Sequence, residues 1–222
     1  MTQSTAEKDP KPRALTPNQR RRRQRILAAT RELVGELGYD GTIMRDVAVR
    51  ARVSPTTLYN LYNTKDELLL AALREEVTRS FQQALEQTEG PGYERLLRHL
   101  HHVASQTREA PAFVEAITRA LLQARAGDPL VEFLLHRTRD SVQESLAAMA
   151  EREELKAGAD TEALAVALGG AFWASFMLWN KGMIELEALE TFLIRSYLSV
   201  LIPIARGRAK ADLEARYEAL GC

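Results

Sequence analysis

The apolar positions of this chain follow helical spacing. Past residue 73 there is no alternation of period two and no hairpin dipeptide. Breaks fall at Gly90-Pro91-Gly92, Ala110-Pro111, Gly127-Asp128-Pro129, Gly158, Gly182 and Gly207. The intervals predict helices over about 65–88, 92–107, 111–125, 129–156, 161–181 and 185–206, then a charged helix over about 208–219. Asp128-Pro129 reads as an N-cap with proline at N1, and Pro203 should kink or end the penultimate helix. The fold class is all-α.

Residues 42–68 carry shorter helices and tighter joints. Thr42 is a candidate N-cap for a helix from Met44 to about Ala51, with Val47, Ala48 and Ala51 on one face. Ser54-Pro55 marks a second start, a capping hydroxyl followed by proline at N1. Leu58 and either Leu61 or Tyr62 then face inward, leaving Thr56, Thr57, Tyr59, Asn60 and Asn63 for solvent or a ligand. Thr64-Lys65-Asp66-Glu67 fits the S/T-x-x-E capping box and opens a long helix through Leu68, Leu69, Ala72 and Leu73.

Two short helices joined tightly, the second with a hydroxyl and amide face, make a helix-turn-helix DNA reader. Asn60 has the two groups that bond an adenine edge, and Thr56 and Thr57 can bond a base or touch a thymine methyl. Tyr59 and Lys65 suit phosphate, Lys65 at a helix start. The competing reading is a polar helix on an ordinary bundle. Charge favours the reader. Net charge is zero, but residues 1–67 hold 13 basic and 8 acidic residues and the remainder 17 and 22. A basic end on an acidic body docks on DNA by that end. The arginine run Arg20 to Arg23 with Arg25 sits at a helix start, where cations are disfavoured. That placement argues for phosphate contact. Arg22, Arg23, Thr42, Arg45, Ser54 and Tyr62 complete the candidate DNA-contacting set.

Residues 20–73 resemble the N-terminal domain of the TetR-type repressor family. The matching pieces are the helix Arg25–Leu37, Gly38-Tyr39-Asp40-Gly41-Thr42, Val47-Ala48, Val53-Ser54, Thr57-Leu58-Tyr59, Tyr62 and Lys65-Asp66-Glu67-Leu68. The resemblance implies a homodimer on a palindromic operator. It also implies a divergent second helical domain that binds a small molecule and releases DNA. Three positions depart from the family pattern. Arg52 occupies a joint where glycine is frequent, at a cost of about 1–2 kcal/mol if left-handed. Thr56 stands where a smaller residue is common, and Leu61 where a histidine often follows the tyrosine. On this reading residues 1–17 are a disordered arm, 18–66 the DNA-binding domain and 67–222 the ligand-binding and dimerisation domain.

Ala163 to Asn180 carries no charge over 18 residues, yet its Ala and Gly content makes it a better buried helix than a membrane span. In the following helix Leu186, Leu189, Leu193, Tyr197, Val200 and Ile204 form a stripe, with Phe192, Leu198 and Ile202 off it. Helices apolar on more than one face require more cover than one small domain gives. Pairing of a second copy through 161–181 and 185–206 supplies it, and the resemblance implies the same four-helix interface. Phe113, Phe133, Trp173, Phe176 and Trp179 are candidates for a pocket holding an apolar or aromatic effector, with His102 as a polar contact. Plain core packing competes for each of them. His99 and His102 share a helix face but have no cysteine or carboxylate cluster to complete a metal site, and no cofactor is called for.

There is no G-x-S-x-G, phosphate-binding glycine loop or H-E-x-x-H, so an enzyme finds no support. A cofactor-using helical enzyme or a helical adaptor without sequence-specific DNA binding remain the alternatives. No apolar signal segment follows the start, and the single cysteine, Cys222, cannot close an internal disulfide. A cytoplasmic protein with no membrane partner is expected.

Overall fold

The computed structural model describes residues 16–85, 92–123 and 127–221. The arm up to residue 15, the Gly90-Pro91 break and Cys222 lie outside the described residues. Among the described residues ten α-helices follow in order: α1 (Pro17–Gly41), α2 (Met44–Arg50), α3 (Pro55–Leu61), α4 (Lys65–Leu85), α5 (Gly92–Glu109), α6 (Pro111–Gln123), α7 (Pro129–Glu151), α8 (Thr161–Asn180), α9 (Leu189–Leu201) and α10 (Gly207–Ala219). A 3-10 turn, Leu186–Ala188, precedes α9. Among the described residues the only β pairing is one bridge, Leu155 to Ala205.

The first helix starts earlier than its apolar pattern suggests. Thr16 accepts from the Gln19 backbone N–H, the Gln19 side chain accepts from the Thr16 N–H, and Pro17 stands at N1. Thr16-Pro17-Asn18-Gln19 is thus a capping box, and this signal reveals the helix start without any apolar periodicity. At the other end Gly38 turns left-handed at φ 71° and re-aims Tyr39 to Gly41.

Thr42 does not cap α2. The N-cap is Ile43, with no side-chain bond. Thr42 is instead buried, its hydroxyl donating to the Gly38 carbonyl at 2.8 Å and its N–H to the Tyr39 carbonyl at 3.2 Å. The preceding glycine turn leaves carbonyls that need donors, and a hydroxyl four residues on satisfies one.

Among the described residues three apolar cores result. The first joins α1, α2, α3 and the start of α4 around Ile26, Leu27, Val47, Ala48, Leu58 and Leu68. The second sits between α1, α4, α6 and α7 around Val34, Leu73, Phe113, Ile117 and Leu134. The third and largest joins α5, α7, α8, α9 and α10. Gly92 lets α5 touch α7, since a Cβ there would meet the Met149 backbone nitrogen at 2.5 Å.

Helix α7 ends at Glu151, short of the expected 156, and the reason is a joint that its residue type conceals. Glu153 adopts φ 56°; its N–H bonds the Ala150 carbonyl at 3.0 Å and the Glu154 N–H bonds that of Met149 at 2.8 Å. This is a Schellman ending without its usual glycine. The freed strand then lies beside the α9–α10 link: Lys156 N–H donates to Ile204 and Arg206 N–H to Glu154. Helix α9 stops at Leu201, before Pro203 removes the next donor. Leu198, expected off the apolar stripe, is fully buried, while Phe192 stays 37 % exposed.

Candidate functional site

The α2–α3 joint is closed by two backbone hydrogen bonds. Arg52 has φ 54°; its N–H bonds the Val49 carbonyl at 3.1 Å and the Val53 N–H bonds that of Ala48 at 3.0 Å. Ala48 and Val53 meet in the core, as a Schellman motif requires. Arg50 then clamps α2 to α1 through two 2.8 Å bonds to Glu36, with Glu32 at 3.5 Å. The guanidinium and hydrogen bonding lower the Glu36 carboxyl pKa.

Ser54 caps α3 as its position predicts, accepting from the Thr57 N–H at 3.1 Å. Its oxygen also bonds the Thr57 hydroxyl at 2.8 Å, so both groups are partly occupied. Leu58 is fully buried. Of the two candidates for the next inward position, Tyr62 packs on the core and Leu61 is half exposed. Burial is the main cause raising the Tyr62 phenol pKa, and the adjacent Arg23 pulls the other way. That places Tyr62 and Arg23 together at the edge of the cluster. Thr56, Tyr59 and Asn60 stand exposed on the outer face of α3, and Arg22, Arg23 and Arg45 are exposed beside it.

Asn63 does not belong to the free face. Its backbone N–H donates to Glu67 Oε2 at 2.9 Å and its side-chain amide at 3.2 Å. Thr64 accepts from the Glu67 N–H at 3.1 Å, so the capping box closes one residue early, on Asn63. Lys65 is engaged as well: Nζ donates to the Tyr39 carbonyl at 2.9 Å and stands 4.0 Å over the Tyr39 ring. The Tyr39 hydroxyl bonds Asp66. Lys65 therefore ties the end of α1 to the start of α4 and retains spare N–H donors toward the surface. Thr42, being buried with both polar groups bonded, has no surface to offer a nucleic acid.

Behind this cluster, α4, α5, α6, α7 and α8 enclose a cavity of about 110 Å³. Leu73, His99, Val103, Leu134, Phe172 and Phe176 are among its walls. Thr107, Thr118 and Thr138 also line it, but each hydroxyl donates to the carbonyl four residues earlier at 2.8–2.9 Å. His99 is neutral: burial, reinforced by His102, lowers its pKa from 6.5 to about 4. Phe172, Trp173 and Phe176 form one aromatic group, with ring centroids 5.0–6.2 Å apart.

Only Trp173 and Phe176 of the expected pocket residues line this cavity. Phe113 is 4 % exposed in the second core and borders a neighbouring cleft. Phe133 lies in a surface groove under Arg74, whose guanidinium is 5.3 Å from the ring centre. Trp179 packs edge-on to Phe176, and His102 lies half-buried on α5 outside the lining. Residues missed by sequence reasoning, chiefly His99, Val103 and Leu134, carry no local signal because their role depends on which helices surround them. Among the described residues no group of three or more His, Cys, Asp or Glu gathers to hold a metal.

One face of α8 is open. Ala165, Leu168, Phe172, Ser175 and Phe176 are buried, but Val166 is 61 % and Met177 38 % exposed, with Ala163, Ala167 and Gly170 beside them. By length and mean hydropathy of 1.4 this helix passes for a membrane span. Here it packs between α7 and α9.

Residues 26–72 match the sequence profile of the bacterial regulatory proteins of the tetR family. The transcriptional repressor KstR of Rhodococcus jostii is 36 % identical over 108 residues, 49 % of this chain and 51 % of that protein. KstR of Mycolicibacterium smegmatis is 38 % identical over 112 residues, 49 % and 54 % of the two chains. The chain thus matches about half the length of these relatives. The fold is shared more widely. A TetR transcription regulator from Haloarcula marismortui superposes with a TM-score of 0.71 at 18 % identity, covering 83 % of this chain and 98 % of that one. SmeT, the repressor of a multidrug efflux pump in Stenotrophomonas maltophilia, gives 0.67 at 17 % identity over 84 % and 92 %.

Proposed function

We propose that this chain is a TetR-type regulator, a cytoplasmic, dimeric repressor that a small molecule releases from a palindromic operator; the profile match over residues 26–72 and the likeness to the KstR repressors support this reading. The observation that carries this reading is the outer face of α3. Thr56, Tyr59 and Asn60 stand clear of a core closed by Leu58, on a helix whose joint is fixed by backbone bonds. Residues 18–66 form the reading head. Asn60, Thr56 and Thr57 face base edges, Asn60 toward adenine. Arg22, Arg23, Arg45, Ser54, Tyr59, Tyr62 and Lys65 hold phosphates on either side.

The body, residues 67–222, dimerises through the open faces of α8 and α9, where Val166, Met177 and Phe192 await cover. Two copies then present two copies of α3 roughly 34–36 Å apart, one turn of the duplex. A ligand in the inner cavity shifts α4, which lines that cavity with Leu73 and anchors the head through Lys65. The ligand acts only by binding the released arrangement more tightly than the DNA-bound one.

Selection of bound duplexes from a random pool at near-physiological salt tests this. A palindrome with half-sites about one turn apart is the expected result. Binding without sequence preference, lost at modest salt, contradicts it, since counterion release alone then explains the affinity.

A further inference from the structure

Glu76 occupies a position the repressor reading does not use. It lies on α4, lines the inner cavity, and also lines a cleft of about 510 Å³ between α1 and the α5–α6 corner. Gln106 and Val114 are shared in the same way, so these three residues lie between the cavity and the cleft. Glu76 is the only charged side chain among the described residues of the cavity wall, because His99 is held neutral. From outside it is bonded by two arginines. Arg79, on its own helix, donates at 2.5 and 2.6 Å, and Arg31, on α1, stands at 3.3 Å. Arg31 is therefore the looser partner and the one that belongs to the head.

We propose that the cavity takes a ring-sized apolar ammonium compound, whose ring lies against Phe172, Trp173 and Phe176 and whose ammonium competes with Arg31 for Glu76. The proposal rests on the reading of this cavity as the effector site and assigns the effector's chemistry. Size and charge both point this way. A dry apolar cavity on the order of 150 Å³ holds a benzene ring. An anion here would meet the Glu76 carboxylate without a cation among the described cavity-lining residues, and Glu109 adds a second acid in the neighbouring cleft. A neutral apolar molecule would fill the cavity but leave Glu76 with Arg31. A cation draws the carboxylate inward, and what it takes from Arg31 is a direct ion pair between α1 and α4.

The test is calorimetry on the full chain near pH 7 with two matched probes, benzylamine and benzyl alcohol. Wild type should bind the amine on the order of tenfold more tightly, the scale of a hydrogen bond to a charged group. Glu76→Gln should bind both probes equally while keeping its melting temperature. Arg31→Met should bind benzylamine several-fold more tightly than wild type and benzyl alcohol unchanged, because the competitor for Glu76 is gone. Glu76→Asp, which keeps the charge on a shorter arm, should show an intermediate preference and serves if Glu76→Gln does not fold. Equal or tighter binding of the alcohol by wild type overturns the proposal. So does an amine preference that survives Glu76→Gln, amine binding weakened by Arg31→Met, or binding of neither probe at millimolar concentration. None of these arms contains DNA. If the amine behaves as expected but leaves a bound duplex in place, the effector chemistry stands and release by the effector fails.

Discussion

In the N-terminal cluster the polar side chains stand outside a core already closed by Leu58, while in the bundle the candidate site lies inside, between five helices. The two arrangements respond differently to the same physics. A surface reader needs a rigid platform, and the cluster supplies it with a Schellman joint, a Ser54 cap and the Arg50 clamp. Its outer groups Thr56, Tyr59 and Asn60 are exposed whatever lies beneath them. An internal cavity has no platform separate from itself. Its shape is what α4 to α8 leave unfilled, so any change in their packing changes the site. The comparison teaches that an exposed polar face and an internal cavity in one chain are specified at different levels, one by residue spacing and the other by tertiary packing.

The largest expected effect breaks the platform. Leu58→Ala should cost about 3 kcal/mol, the scale of a leucine truncated in a closed core. Urea unfolding measures it, and duplex affinity should fall with the loss of the cluster. An unchanged midpoint would mean that α3 is not seated on that core.

The matching test on the bundle uses acid. His99 has a folded-state pKa of about 4 against 6.5 unfolded. Between those values the unfolded chain binds a proton that the folded chain refuses, so stability is full above about pH 6.5 and falls toward pH 4. The loss should approach about 3 kcal/mol. His99→Gln should flatten the stability profile over that window, and a profile of unchanged slope would contradict the buried neutral imidazole.

Asn60→Ala sharpens the comparison without unfolding anything. It should cost about 2 kcal/mol at one operator base pair and little on a scrambled duplex. Competition binding against single-substituted operators reads this directly, and unaltered preference at every position would remove Asn60 from the reading set.

The smallest effect concerns the joint. Arg52→Gly should stabilise the chain by up to about 1 kcal/mol, since φ 54° costs an L-residue more than the entropy of glycine. Thermal melting would show it as a small upward shift, and a downward one would mean that Arg52 makes contacts outweighing its backbone strain.

Much of the cluster was legible in the sequence because its signals are local. Ser54-Pro55 and the exposed Thr56, Tyr59 and Asn60 follow from caps and spacing alone. Thr42 and Asn63 misled for a shared reason: their side chains found backbone or carboxylate partners through turns whose geometry a sequence does not display. The left-handed joint at Glu153 was likewise concealed by a non-glycine residue, which made α7 look longer than it is. In the bundle, aromatic size drew attention to Phe113, Phe133 and Trp179, whereas cavity lining is decided by helix neighbours. Glu76 and His99 line the cavity because α4 and α5 face α8 across it, a relation absent from local sequence.

The most direct test of the account is a hydroxyl-radical footprint of the full chain on a duplex recovered by selection. Two copies of α3 held by paired α8 and α9 predict two protected segments related by a dyad, with centres about 10 base pairs apart or a multiple of that. A single protected segment, with the protein sedimenting as a monomer, would contradict the dimeric reader on which the rest depends.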